Sequence, residues 1–391
     1  MPYRRLAFRR PLLPDGSDGL RLEVRAFLRE QDFEPRCDSW LSGFDPEFSR
    51  LLAARGWVGM TWPERYGGRG RSPLDRHVVI EELLAAGAPV AAHWISDRQT
   101  GPLLLRYGSD ELRERLLPAM ARGECYFCIG MSEPDSGSDL ASLRTTATRV
   151  DGGYAVSGSK VWTSHAHRSH YMLALVRTTP GAERHEGLSQ LVIDLSSPGV
   201  DVRPIRLLTG GHHFNEVVLW DVHVPEGMLV GREGEGWSQV LTELAFERSG
   251  PERFLSTFPL LRQAIEVVPA EDDRAAEEVG RLTARLLALR RLSLSVAGAI
   301  EAGEAPVVEA ALVKDLGTRF ERDVAESARN LAPDDGLAGL LAQAVLSAPG
   351  FTLRGGTSEI LRGVVARGLL GRGSTPRNPH PQPPRFRGDP G

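Results

Sequence analysis

The sequence predicts an α+β protein in three parts. These are an α-helical domain over residues 1–125, a middle antiparallel β-barrel or sandwich over 126–235 and a four-helix bundle over 236–372, with a disordered tail at 373–391. Three observations predict this order. Apolar residues recur at helical spacing through the first third, short β-branched and aromatic runs replace them near Cys125, and helical spacing returns at Gly236. At 391 residues the chain also exceeds one ordinary core, so several packed units are expected.

Leu20, Val24, Phe27 and Leu28 follow the i, i+4, i+7, i+8 pattern of an amphipathic helix. Further helical patterns run through Phe48 to Leu52, Val78 to Leu84 and Leu103 to Met120, separated by Gly/Pro/Asp clusters such as Thr61 to Pro73. Arg144 to Val150, then Asp151-Gly152, then Tyr154 to Lys160 reads as strand, two-residue turn, strand. His170 to Val176, Gln190 to Leu195 and Glu216 to Trp220 add short strands bounded by Pro and Gly. In the last third, Trp237, Val240, Leu241, Leu244 and Ala245 fit one apolar stripe. Helical patterns follow at Arg281 to Ile300, Pro306 to Asn330, Gly336 to Leu346 and Ser358 to Leu370, with Pro306 placed to start a helix. Residues 373–391 are rich in Pro, Arg and Gly, a composition that cannot bury a core.

Hydrophobic content of 41% and charged content of 25% are those of an ordinary globular protein. A net charge of -4 gives no electrostatic case for binding nucleic acid or an anionic membrane. No run approaches the ~20 apolar residues of a membrane span, and Pro11 and Pro14 interrupt the basic start, so no signal peptide is expected. The cations are nearly all arginine, Lys160 and Lys314 being the only lysines, a bias expected of a GC-rich genome. Three cysteines are too few for a disulfide framework and point to a reducing, cytoplasmic setting. Cys125 and Cys128 form a CxxC, but Cys37 does not complete a zinc site, and no metal is expected.

Gly153 to Lys160, GYAVSGSK, is no phosphate loop, because the G-K-[ST] ending is inverted and the segment sits in a hairpin. No GxGxxG opens a helix after a strand. His165, His167 and His170, with His212 and His213 further on, lack a matching carboxylate pattern and read as polar residues rimming a cleft.

The richest stretch is Met131 to Ser164, MSEPDSGSDLASLRTTATRVDGGYAVSGSKVWTS. It joins a Ser/Gly-rich turn (Ser132 to Asp139) to Trp162, Thr163 and Ser164, a flat apolar surface beside hydroxyls that suits a planar heteroaromatic group. Two later segments accompany it: GGHHFNEVVLWDVHVP from Gly210 to Pro225, followed by Gly234-Glu235-Gly236-Trp237, and GGTSEILRGVVARGLLG from Gly355 to Gly371. In this order and covering most of residues 20–372, these segments resemble the acyl-CoA dehydrogenase family. The resemblance implies FAD held between the middle and C-terminal domains and a neighbouring subunit, in a homo-oligomer, dimer or tetramer. Carried over by position, Met131, Ser132, Gly137 and Ser138 would contact the flavin, with Ser138 also at the substrate's pantetheine arm. Trp162, Thr163 and Ser164 would line the ring system, and Thr357 and Glu359 would meet the FAD phosphates and ribose at a helix N-terminus, where free N–H groups favour anions.

Desaturating an acyl thioester needs a base for the proton next to the carbonyl, donors for the enolate oxygen and a flavin to accept a hydride. Many family members carry the base immediately before the Gly-Thr of the last segment; here that position is Gly355, whose N–H still suits the enolate. A second group carries a Glu-Arg pair on the first bundle helix, and Glu247-Arg248 stand there, Glu247 as the expected base and Arg248 as a substrate contact. Two departures accompany this match. Gly250 and Pro251 interrupt the helix directly after the pair. The Arg-x-x-Phe-Gly that relatives use on a neighbour's FAD is replaced within LRQAIEVVPAEDDRAAEE, so the dinucleotide half is held differently or FAD is held weakly. The resemblance therefore implies a dehydrogenase acting on acyl-CoA or an acyl-carrier protein and passing electrons to an electron-transfer flavoprotein. A non-catalytic partner subunit of a hetero-oligomer, or a flavin oxidase or monooxygenase on the same scaffold, are the competing readings.

Overall fold

The structure, a computed structural model, describes residues 6–9, 12–182, 184–269, 271–331 and 338–370, the side chains of residues 243–247 and 338 excepted. The tail expected at 373–391 lies outside the described residues.

Among the described residues seven α-helices come first: α1 (Ser17–Glu30), α2 (Ser39–Ser42), α3 (Pro46–Ala54), α4 (Pro73–Ala85), α5 (Ala91–Ile95), α6 (Gly101–Tyr107) and α7 (Asp110–Ala121). Their starts follow local chemistry. Asp45 accepts from the N–H groups of Glu47 and Phe48, and Ser72 accepts from Asp75, each just before a proline in the first helical turn. The pattern Leu103 to Met120 reads as one helix but is two. Gly108 is extended and Ser109 caps α7 by accepting from Leu112 N–H, so a breaker followed by a cap overrides continuous apolar spacing. A π-helical turn, Ser96–Thr100, joins α5 to α6.

Eight strands follow: β1 (Phe127–Gly130), β2 (Thr146–Val150), β3 (Gly153–Ser164), β4 (Tyr171–Arg177), β5 (Leu188–Asp194), β6 (Val200–Ile205), β7 (Phe214–Pro225) and β8 (Leu229–Val230). They form one sheet in the order β6-β7-β3-β2-β4-β5-β8, with β1 beside β4. The hairpin at Asp151-Gly152 forms as expected, with Gly152 at φ 75. The sheet departs from a purely antiparallel one where β1 and β2 meet β4 in parallel. The strand β6, which carries Arg203-Pro204 and little apolar alternation, is held by its ladder to β7. The register of β3 against β7 shifts twice, between Val156 and Gly158 and between Lys160 and Thr163.

The bundle comprises α8 (Gly236–Glu247), α9 (Phe258–Val267), α10 (Asp273–Glu301), α11 (Val307–Leu331), α12 (Ala338–Phe351) and α13 (Ser358–Leu369). The helix α8 stops at Glu247, and Pro251–Arg253 forms a 3₁₀ turn, as the Gly250-Pro251 pair dictates. Val240 is buried against Leu175 and Leu188, whereas Leu241, expected on the same stripe, is 45% exposed.

Two cores share the N-terminal helices. Phe27, Phe48 and Leu83 pack with Leu260, Phe320 and Val324 of the bundle, while Leu104, Leu116 and Met120 pack with Tyr154, Met172, Ile193 and Leu219 of the sheet. Each core holds many fully buried large side chains, and each such side chain contributes ~1.5–3 kcal/mol relative to exposure. The first seven helices thus form a platform to which sheet and bundle are both fixed. Segments near residues 40, 165, 213 and 355 meet where the three parts adjoin.

Candidate active site

The second bulge of β3 shapes the site. On its buried side Lys160 has 0% exposure. Its Nζ donates to Glu133 Oε1 at 2.7 Å, to the Leu175 carbonyl at 2.6 Å and to the Met131 carbonyl at 3.3 Å. Glu133 in turn accepts from the backbone N–H groups of Arg144 (2.6 Å) and Thr145 (2.9 Å). Burial pulls the Lys160 ammonium down to about 8, with Glu133 opposing the fall. Burial alone would raise the Glu133 carboxyl, but Lys160 and these donors outweigh it and hold the group below the ordinary carboxylate range. One ion pair therefore ties the start of the loop (Met131) to its end (Arg144-Thr145), and Val161 N–H donates to the Ser132 carbonyl alongside. Between these anchors Gly137 and Ser138 are exposed, and nothing lies within 4 Å of the place a Gly137 side chain would take.

On the open side of the bulge stands Trp162. It is 57% exposed, its φ is 58, and among the described aromatic residues Phe214 meets its ring, edge to face at 5.9 Å between centroids. A left-handed backbone at a non-glycine residue costs ~1–2 kcal/mol, and an exposed indole recovers little of that by burial. Such strain collects at ligand sites. Ser164 is half-buried next to it. Thr163, which the sequence groups with them, is set apart: its side chain is fully buried and its Oγ1 has no partner, because the distorted backbone at Trp162 turns it inward. What Thr163 offers outward is fixed through its carbonyl, which accepts from Asn215 Nδ2 at 3.0 Å.

The histidines divide. His165, buried and at φ 57, has Nε2 2.6 Å from the Leu41 carbonyl, and burial pushes its pKa down to about 3, so it stays neutral. His167 and His212 stack at 4.2 Å, and both bond to Asn215 Oδ1. His213 lies between Phe214 and the Asp38–Arg354 ion pair, whose charges both act on it. These rings pin the end of β3 to the loop after Asp38.

Three cations hold the turn that precedes α13. Arg354 is bidentate to Asp38, at 2.7 and 3.0 Å, and its guanidinium lies 4.7 Å from the Trp40 ring centroid. Arg248, at the end of α8 and 7% exposed, donates from Nε to the Gly355 carbonyl at 3.3 Å. Lys314, fully buried on α11, donates to the Gly356 carbonyl at 2.8 Å. Gly355 and Gly356 have φ of 62 and 96, a left-handed run that glycine alone tolerates at low cost. With both carbonyls engaged, the Gly355 N–H has no acceptor among the described residues. Thr357 caps α13, its Oγ1 accepting from Ile360 N–H, and Glu359 is exposed in the first turn. The Glu359 carboxyl lies below its ordinary value because backbone N–H and the Thr357 hydroxyl favour its charged form.

A chain of contacts runs from Trp162 through Phe214 to His213, on which the Asp38–Arg354 pair acts, and Arg248 joins the turn from α8 by its bond to Gly355. Glu247 is the last residue of α8, next to Arg248; its side chain lies outside the described residues. Sequence reasoning misses the Lys160–Glu133 and Asp38–Arg354 pairs and the bond from Lys314. The available signal was the scarcity of lysine, since both lysines are buried beside site backbone. An exposed, strained indole, an open loop over Gly137 and a helix N-terminus behind Thr357 fit a large planar group with an anionic tail.

The chain matches three family models in series: the acyl-CoA dehydrogenase N-terminal domain over residues 15–124, the middle domain over 128–222 and the C-terminal domain over 260–370. It is 36% identical to acyl-CoA dehydrogenase FadE34 of Mycobacterium tuberculosis over 89% of this chain, and spans 48% of that protein's length. It is 34% identical to acyl-CoA dehydrogenase FadE29 of the same organism, over 81% of this chain and 80% of the relative. Among solved structures, the ChsE4-ChsE5 complex from Mycobacterium tuberculosis superposes with a TM-score of 0.79 at 28% identity, covering 93% of this chain and 99% of that one.

Proposed function

Because the chain belongs to the acyl-CoA dehydrogenase family, we propose that it is an FAD-dependent oxidoreductase that introduces a double bond into an acyl thioester. The observation that carries this reading is the Gly355 turn, with both carbonyls engaged by buried cations and one N–H left open beside the end of α8. FAD, when bound, supplies the hydride acceptor. Trp162 and Ser164 would hold its ring system, Met131, Ser132, Gly137 and Ser138 would line it from the anchored loop, and Thr357 and Glu359 would meet its phosphates and ribose.

The chain's own residues do the rest. The Gly355 N–H donates to the thioester carbonyl oxygen and stabilises the negative charge that develops there. The Glu247 carboxylate removes the proton next to that carbonyl, and Arg248 orients the turn while also facing the substrate. Thr163 contributes through its backbone. Ser138 meets the pantetheine arm. The acyl carrier is coenzyme A, with a carrier protein as the second option, and an electron-transfer flavoprotein takes the electrons in the cytoplasm. The division at residues 125 and 235 is part of the same reading, as is assembly into a homo-oligomer. No described helix is long and apolar enough to cross a membrane.

The test is Glu247→Gln. Turnover of acyl-CoA should fall on the order of a thousandfold while the visible flavin absorbance stays, and unchanged turnover would end the assignment. A second reading is a partner subunit in a hetero-oligomer, favoured by the span of 48% of FadE34 and by the likeness to a two-component complex. Purification of the chain alone decides between them: a stoichiometric flavin band with a homo-oligomeric mass excludes the second.

A further inference from the structure

The Gly355 N–H belongs to the peptide plane that joins Arg354 to Gly355. The carbonyls held by Arg248 and Lys314 belong to the next two planes, those after Gly355 and Gly356. In the first plane neither the N–H nor the Arg354 carbonyl has a hydrogen-bond partner among the described residues. On its far side stand two glycines at φ 62 and 96, the residue type that restrains rotation least. The direction of this N–H therefore depends on how firmly residue 354 is held.

Residue 354 is gripped from the other end of the chain. Its N–H donates to the Gly350 carbonyl at 3.1 Å, and its guanidinium lies over the rings of Trp40 and Phe351, 4.7 and 5.4 Å from their centroids. The carboxylate of Asp38 takes two parallel bonds from it, at 2.7 and 3.0 Å. Local preferences are set aside to make this contact. Asp38 has a left-handed backbone, at φ 56. It stands at the N-cap of α2, where an aspartate ordinarily accepts from the helix N–H groups, yet its side chain makes no such bond. The Nε of Arg354 stays buried without a partner among the described residues. Asp38 itself is fixed from the bundle, donating its N–H to the Ser256 carbonyl at 2.7 Å, while Trp40 Nε1 donates to Ser256 Oγ at 3.1 Å. Broken local rules that converge on one contact point to a site and not to stability.

We propose that Asp38 is a positioning residue for the reaction: acting through Arg354, it aims the Gly355 N–H at the thioester oxygen. The proposal rests on the acyl-thioester reading above and names what orients its enolate donor. A hydrogen bond weakens steeply once its angle falls below ~120°. The loss is felt more by the charged enolate oxygen than by the neutral carbonyl, so loosening the pair slows enolisation and leaves thioester binding nearly unchanged.

The test uses the FAD-loaded full chain and one probe, the coenzyme A thioester of (propylthio)acetic acid. Sulfur stands in place of its third carbon, so it has no hydride to give and enolisation is read without turnover. The bound probe's carbonyl stretch is recorded by infrared difference, exchange of its α-hydrogens with heavy water by mass, and its dissociation constant by calorimetry. In the unaltered chain the stretch should lie below that of the free probe. Asp38→Asn keeps the side-chain shape and tolerates the left-handed backbone but drops the charge. In it the stretch should return toward the free value, and exchange at saturation should slow about tenfold to a hundredfold, while the dissociation constant changes less than about threefold. Arg354→Lys, which keeps the charge but lacks the planar two-point grip, should do the same. Each rate is taken per bound flavin, read from visible absorbance. Exchange within about twofold of the unaltered chain in either variant would overturn the proposal. So would a loss of exchange matched by an equal loss of affinity or of flavin, the mark of a merely structural pair. The acyl-thioester reading fails separately, if the unaltered chain neither shifts the stretch nor exchanges the probe.

Discussion

Removing the Lys160 ammonium is the sharpest perturbation the site offers. In Lys160→Met the Glu133 carboxylate keeps two backbone donors, at 2.6 and 2.9 Å, but loses the one cation paired with it among the described residues, and the carbonyls of Leu175 and Met131 lose a donor each. Breaking a buried pair from one side costs ~3–5 kcal/mol, because the remaining charge is uncompensated. Lys160→Met combined with Glu133→Gln should cost less, ~1–3 kcal/mol, since no charge is stranded and one backbone N–H goes unmet. The signature is therefore a double variant more stable than the single. Urea midpoints at constant slope, with and without FAD, measure it. There is also a pH signature. Burial lowers the lysine from its ordinary 10.5 to about 8, so between about pH 8 and 10.5 the unfolded chain binds a proton the folded chain has lost. The unaltered chain should gain stability from this group as pH rises through that window, and Lys160→Met should lack the gain. A single variant within ~1 kcal/mol of the unaltered chain, or a double variant less stable than the single, would refute the reasoning.

Two further outcomes follow from single residues. Trp162→Gly removes an exposed ring and relieves a left-handed backbone, so the apoprotein should stay within ~1 kcal/mol of the unaltered chain; FAD retention on dialysis, read from visible absorbance, should fall at least tenfold, and unchanged retention would exclude Trp162 from the cofactor. Glu321, fully buried and accepting from Ser256 N–H at 2.9 Å, is pushed by burial up to about 7. From its ordinary 4.5 that is ~3 kcal/mol of stability lost as pH rises from 4.5 through 7, because the folded state holds a proton the unfolded state releases. Glu321→Gln should flatten that decline in melts at pH 5 and pH 8, and an unchanged slope would count against it.

What was legible in the sequence was whatever local spacing encodes. The β2–β3 hairpin is announced by Asp151-Gly152, and the end of α8 by Gly250-Pro251, because turn and breaker chemistry acts over a few residues. The break at Gly108-Ser109 was legible in kind but masked by apolar residues that continue in phase across it. The strand β6 could not be read, since its order comes from β7 and not from its own composition. The site shows the same division. Trp162 and Gly355 stand in recognisable segments, but the strain at Trp162 and the inward turn of Thr163 arise from a bulge set by pairing with β7. The Asp38–Arg354 pair joins residues far apart in the chain, and nothing local marks either. The arginine bias reads as a property of the genome, and nothing local shows that the two remaining lysines occupy special places.

Those two lysines carry a consequence for the chain's chemical exposure. Acyl thioesters transfer their acyl groups to free amines without a catalyst, and a protein that binds them meets this hazard at every turnover. Here Lys160 and Lys314 are both fully enclosed, their ammonium groups donating to carbonyl oxygens inside the fold. On the proposed function, the folded chain would meet acyl thioesters with no lysine to modify, while its surface positive charge is carried by guanidinium groups too weakly nucleophilic to react. Acylation at either lysine would mark a molecule that had opened, which makes labelling mapped to these two lysines a count of unfolding events.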